Sequence, residues 1–150
     1  MASVSLRDRA IRLLARRDYA RAELERRLVA KGAERSEVRA VLDALAREGY
    51  LSNGRYARAI VRQKAGSHSR RSIAEGLKAE GVDREDIEAA LAEAELDDAA
   101  AMLALWQRRF GRAPADEREK ARQVRFLQSR GFALSAILKL LRRQSGMDHD

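Results

Sequence analysis

The chain has 150 residues, of which 36% are charged and 5% aromatic, with 31 Lys and Arg against 23 Asp and Glu, one proline and no cysteine. This balance disfavours a β-rich fold and favours charge-decorated helices, while the net charge of +8 calls for a polyanion: DNA, RNA, anionic lipid or an acidic protein surface. The lack of cysteine excludes a disulfide framework and a thiolate metal site, and no run approaches the roughly 18 apolar residues of a membrane span, so the chain reads as soluble and cytoplasmic.

Taken in order, the apolar residues predict three modules of three helices. In the first, Leu6, Ala10, Leu13 and Leu14 mark one helix face, Leu24 and Leu28 lead to Gly32, and Val38, Val41, Leu42 and Leu45 lead to Gly49. Gly32 and Gly49 stand where a helix ends in a left-handed residue. The second module opens with Tyr56, Ala59, Ile60 and Gln63 on one face and breaks at Gly66-Ser67-His68-Ser69. It resumes with Ile73 and Leu77 before Gly81, and Asp83 caps a last helix carrying Ile87, Ala90 and Leu91. The third starts at Asp97 and Asp98 and runs through Met102, Leu105 and Trp106 to Phe110. After a connection around the single proline it continues with Val124 and Leu127 before Gly131, then Leu134, Ile137, Leu138 and Leu141.

The three glycines hold these modules in register. Leu28, Leu77 and Leu127 stand four residues before Gly32, Gly81 and Gly131, and apolar residues recur at the same three offsets after them: Val38, Val41 and Leu42; Ile87, Ala90 and Leu91; Ile137, Leu140 and Leu141. Such self-similarity marks stacked units that cannot bury their apolar faces alone. The expected fold is all-α, an elongated array of three tandem three-helix units with about nine helices: residues 6–51, 52–95 and 96–143, then a mobile tail over 144–150.

Catalytic readings lack their parts. There is no glycine-rich phosphate cradle, and His68 and His149, the only histidines, have no metal-binding spacing around them. Paired acids such as Asp97 and Asp98 or Glu117 and Glu119 read as helix-start charges. No enzyme activity, metal or cofactor is expected.

The candidate binding residues are arginines. Arg9, Arg12 and Arg16 fall at i, i+3 and i+7, which confines them to about a 60° sector of the first helix. Arg55, Arg58 and Arg62 repeat the pattern on the fourth helix. Arg70 and Arg71 add charge to the fifth, and Arg118, Arg122 and Arg125 share a face of the eighth. Glu23 and Arg27, at i, i+4, read as an ordinary helix pair. Stripes without interleaved acids can meet successive phosphates with salt-sensitive, sequence-independent affinity. The aromatics, Tyr19, Tyr50, Tyr56, Trp106, Phe110, Phe126 and Phe132, are spaced as core or module-boundary residues.

The segment L-L-A-R-R-D-Y-A-R-A-E-L-E-R-R-L-V-A-K-G from Leu13 to Gly32, L-A-R-E-G-Y-L from Leu45 to Leu51, R-Y-A-R-A from Arg55 to Ala59 and R-F-L-Q-S-R-G-F from Arg125 to Phe132 together resemble the RecX family of bacterial recombination regulators. Where that family commonly has acids after the Tyr-Leu pair, this chain has Ser52, Asn53 and Gly54; where it often has Gly-Pro, this chain has Ser69 and Arg70. The resemblance implies a cytoplasmic, monomeric regulator that binds the RecA recombinase as a filament on single-stranded DNA. It also implies restraint of that filament's ATPase, strand-exchange and co-protease activities, with direct contact to the DNA open. The other reading of the residues is a free-standing, sequence-independent nucleic-acid-binding protein, since three-helix units can resemble helix-turn-helix modules.

Overall fold

The computed structural model describes residues 4–146, and their regular secondary structure is entirely helical. The order is α1 (Leu6–Arg16), α2 (Arg21–Ala30), α3 (Arg35–Arg47), α4 (Asn53–Lys64), α5 (Arg70–Ala79), α6 (Arg84–Ala94), α7 (Asp98–Arg109), α8 (Glu117–Ser129) and α9 (Leu134–Gln144). The described residues thus hold nine helices, the number expected. The last helix reaches further than its periodicity suggested, since Gln144 belongs to α9. The rest of the expected tail from residue 147 lies outside the described residues.

Compact packing gathers the chain into two units: residues up to Val61 with Gly76–Glu93, and Arg62–Glu75 with the residues from Ala94 onward. In the first, Ala10 of α1, Leu24 and Leu28 of α2, and Val38, Leu42 and Leu45 of α3 are buried with Tyr19 and Leu51 in one core. Leu13, Leu14 and Val41 lie partly buried against it. In the second, Met102, Leu105 and Trp106 of α7, Leu127 of α8, and Ile137, Leu140 and Leu141 of α9 close around Phe132. The register residues Leu28, Leu77 and Leu127 are at most 2% exposed, as a shared module requires.

On α4 the buried face is turned from the expected one. Tyr56, Ala57 and Val61 are buried, Ala59 and Ile60 only half so, and Gln63 is exposed. The expected and observed faces share Tyr56 and differ by one position along the helix.

The helix starts explain how one module meets the next. Ala20, at the start of α2, has no capping side chain, and the first N–H of that helix, on Arg21, donates instead to Asn53 Oδ1 at 2.8 Å. The first N–H of α5, on Arg70, likewise donates to Asp98 Oδ1 at 2.9 Å. Each time a residue opening the following module satisfies an orphan donor of the one before. The glycine corners approach the same helix starts: a Cβ on Gly81 would stand 3.1 Å from Ala22 Cβ, and one on Gly131 would stand 2.5 Å from Ser72 Cβ.

The start of α8 caps itself. Asp116 Oδ1 accepts from Glu119 N at 2.8 Å, and Glu119 Oε2 accepts from Ala115 N at 2.7 Å. The residues that these glycine corners approach are small: Ala22 for Gly81, and Ser69 with Ser72 for Gly131.

The departures noted at Ser52-Asn53 and Ser69 are also helix-start chemistry. Ser52 Oγ accepts from Arg55 N at 3.0 Å, Ser69 Oγ from Ser72 N at 3.0 Å, and Asn53 forms the junction bond. Asp83 Oδ1 accepts from Asp86 N at 3.0 Å, the cap expected for α6.

Candidate partner-binding surface

The arginine stripe of α1 lines a groove. Arg9, Arg12 and Arg16 face Arg27 and Lys31 of the α2 end across a floor of Leu13 and Leu28, enclosing a space of about 390 Å³. Among the described residues none of these five cations forms an ion pair. Arg9 Nε is closed off from solvent and donates to no acceptor.

The expected Glu23–Arg27 pair does not form, and the reason lies at Tyr19. The Arg17 guanidinium stacks 3.6 Å from the Tyr19 ring centroid and from there reaches Glu23 at 2.9 Å. That hydrogen bond raises the Arg17 pKa above its usual value against the opposing effect of burial. With Glu23 taken, Arg27 donates to Tyr19 Oη at 2.6 Å, a neutral acceptor that orients the guanidinium without neutralising it. The groove therefore keeps its full positive charge beside a low-dielectric apolar floor, an arrangement that concentrates field toward an anion.

The equivalent stripe on α4 is built differently. Arg55 Nε donates to Asp18 at 2.7 Å while its two terminal nitrogens donate to the carbonyls of Gly49 and Tyr50 at 3.2 and 3.0 Å. It is a clamp on the α3–α4 turn. Arg58 lies 3.9 Å from Glu93, and its charge also opposes the rise in Asp86 pKa caused by burial and then by Asp83 and Glu85. Arg62 is exposed and meets no carboxylate among the described residues. The two stripes share spacing, but acids from other elements reach only the second.

In the second compact unit, Arg70 is exposed and Arg71 pairs with Glu75 one turn on at 3.4 Å. Arg118, Arg122 and Arg125 lie exposed along α8 and form no ion pair among the described residues. Sequence reasoning passed over Arg109 and Arg130, whose guanidiniums sit 4.8 and 4.9 Å from the Phe126 ring centroid. Phe126 also meets Phe110 edge to face, with centroids 5.6 Å apart. Tyr19, Tyr56, Trp106 and Phe132 are buried as expected, while Tyr50 is 48% exposed. Trp106 Nε1 donates to buried Gln123 Oε1 at 2.9 Å, a partner that a buried indole N–H requires.

These observations define a class: a tandem three-helix-module protein with a cationic groove, whose described helices include none long and apolar enough to cross a membrane. Three family models then match in order. Residues 7–45 match "RecX, first three-helix domain", 52–91 "RecX, second three-helix domain" and 96–141 "RecX, third three-helix domain". The chain is 44% identical over 149 residues to "Regulatory protein RecX" of Pseudomonas putida (strain GB-1), covering 98% of this chain and 94% of the relative. It is 38% identical over 138 residues to the protein of that name from Ralstonia pickettii (strain 12J), covering 92% and 87%. A crystal structure of RecX from Lactobacillus salivarius superposes with a TM-score of 0.69 at 18% identity over 93% of this chain and 94% of that one, which shows the shared fold. The chain belongs to the RecX family of regulatory proteins.

Proposed function

We propose that this protein is a cytoplasmic, monomeric, non-catalytic regulator that binds the RecA recombinase filament on single-stranded DNA and restrains its ATPase, strand-exchange and co-protease activities. The observation that carries the reading is the match of all three modules, in order, to the three RecX domains. The groove of Arg9, Arg12 and Arg16 supports it, because it offers unneutralised charge to an acidic protein surface or to phosphates. Of the other arginines, Arg62, Arg118, Arg122 and Arg125 remain available for the same partner, with exposed Arg70 beside them. Arg55, Arg58 and Arg71 spend at least part of their charge on carboxylates of the chain itself.

A regulator acts on a filament by binding one of its arrangements better than another, and it shifts their populations by no more than that difference. Substoichiometric protein should therefore lower RecA ATP hydrolysis on single-stranded DNA. Unchanged hydrolysis with no detectable association with RecA would refute the reading. Tight, salt-steep nucleic-acid binding alongside that failure would establish the free-standing nucleic-acid-binding alternative.

A further inference from the structure

We infer that the α1–α2 groove is a direct seat for consecutive phosphates of a single nucleic-acid strand, with Arg27 and Lys31 acting alongside Arg9, Arg12 and Arg16. The inference rests on the reading above that α1 faces the partner, and it specifies what that face touches.

The first observation is how arginines are distributed in the first compact unit. Arg7, Arg17, Arg21, Arg26, Arg35, Arg39, Arg55, Arg58 and Arg84 each lie within 3.9 Å of a carboxylate. Apart from Arg47, the arginines of that unit without one are those of the groove. Acids are close in sequence but turned elsewhere: Glu23 to Arg17, and Glu25 to Arg35 and Arg39. Five like charges around one opening repel one another, and folding alone has no use for that.

The second observation is pre-positioning. Arg27 is fixed by Tyr19, which is itself buried beneath Arg17, so part of the ordering cost of binding is already met within the fold. Arg9 holds a buried, partnerless Nε, so its stem is fixed by packing.

The third is the match of shape to ligand. Along α1 the cations rise by about 4.5 and 6 Å between neighbours, a continuous ladder rather than one point of charge. Guanidiniums recognise phosphate oxygens in a forked, bidentate manner. A nucleic-acid strand carries its charges on the backbone itself with sugars and bases between them, which suits a charged rim over Leu13 and Leu28. An acidic peptide carries its charges at the ends of flexible side chains and loses rotamer freedom in aligning them.

The test is fluorescence anisotropy of a labelled oligothymidylate with the full chain over a series of salt concentrations. Arg12→Gln, Arg16→Gln and Lys31→Gln are compared with Arg35→Gln, whose partner is Glu25. Wild type should lose affinity with a log–log salt slope near −3, from four or five phosphates at about 0.7 each, and each groove variant should flatten the slope by about 0.7 while Arg35→Gln leaves it unchanged. Unaltered slopes in all groove variants would overturn the inference. Inorganic tripolyphosphate competing as strongly as the strand would also overturn it, by marking a small-anion site. RecA ATP hydrolysis is measured with the same proteins. Groove variants that lose restraint of RecA yet keep the wild-type salt slope would refute phosphate seating and leave the proposed function standing. Wild-type protein that neither binds nor restrains RecA would refute the proposed function itself.

Discussion

Replacing Gly131 by alanine tests whether the modules are joined by close backbone approach. Gly131 has φ +93°, and an added Cβ would press on Ser69 Oγ and stand 2.5 Å from Ser72 Cβ, at the start of α5. Gly32, its counterpart in the first module, has φ +102° but nothing within 4 Å of the added atom. Both alanines carry the left-handed backbone penalty of about 1–2 kcal/mol. Only Gly131→Ala adds overpacking, of about 1–3 kcal/mol. The difference between the two variants therefore isolates the junction. Urea unfolding followed by far-ultraviolet circular dichroism, which reports the helices around both glycines, reads it directly. Gly131→Ala should be the less stable by about 1–3 kcal/mol, with an unchanged urea slope. Equal losses in the two variants would refute the argument that this glycine is needed for proximity as well as for its dihedral.

Charge reversal separates the two stripes. Arg12→Glu with Arg16→Glu should leave melting almost unchanged, whereas Arg55→Glu should cost about 1–3 kcal/mol by thermal melting, since it frees two carbonyls and sets a second carboxylate beside Asp18. Gln123→Ala orphans the Trp106 N–H, with an expected loss of about 1–3 kcal/mol and altered tryptophan emission in the folded state. His68 should titrate below its ordinary 6.5, because burial disfavours the imidazolium and Lys64 and Arg130 then add repulsion. The unfolded chain thus takes up this proton first, so stability present above pH 6.5 declines as pH falls from there through the lower folded value. His68→Gln should lessen that decline in urea titrations at stepped pH, and an identical decline in both proteins would contradict it.

What was legible in the sequence was what depends on near neighbours along the chain. The Leu28–Gly32 pattern and its two copies are set by helix period and chain reversal, so they read out the modules, their cores and most helix ends. The pairing of long side chains was not legible. Arg55 and Asp18 are 37 residues apart, and no spacing rule brings them together. The Glu23–Arg27 expectation failed because a local rule worth a few tenths of a kcal/mol yielded to the Arg17 stack on Tyr19. Arg27 was consequently missed as a groove residue. Gln123 went unnoticed as a core residue for the same reason: its burial makes sense only beside Trp106, on another helix. The sole cue was that the single tryptophan, once buried, needs an acceptor.

The most direct measurement of the central claim is a cryo-EM map of this protein with RecA assembled on single-stranded DNA. The α1–α2 groove should be covered in that complex, with Arg12, Arg16 and Lys31 within hydrogen-bonding distance of DNA phosphates. A complex in which that groove faces open solvent while another surface meets the filament would contradict the account.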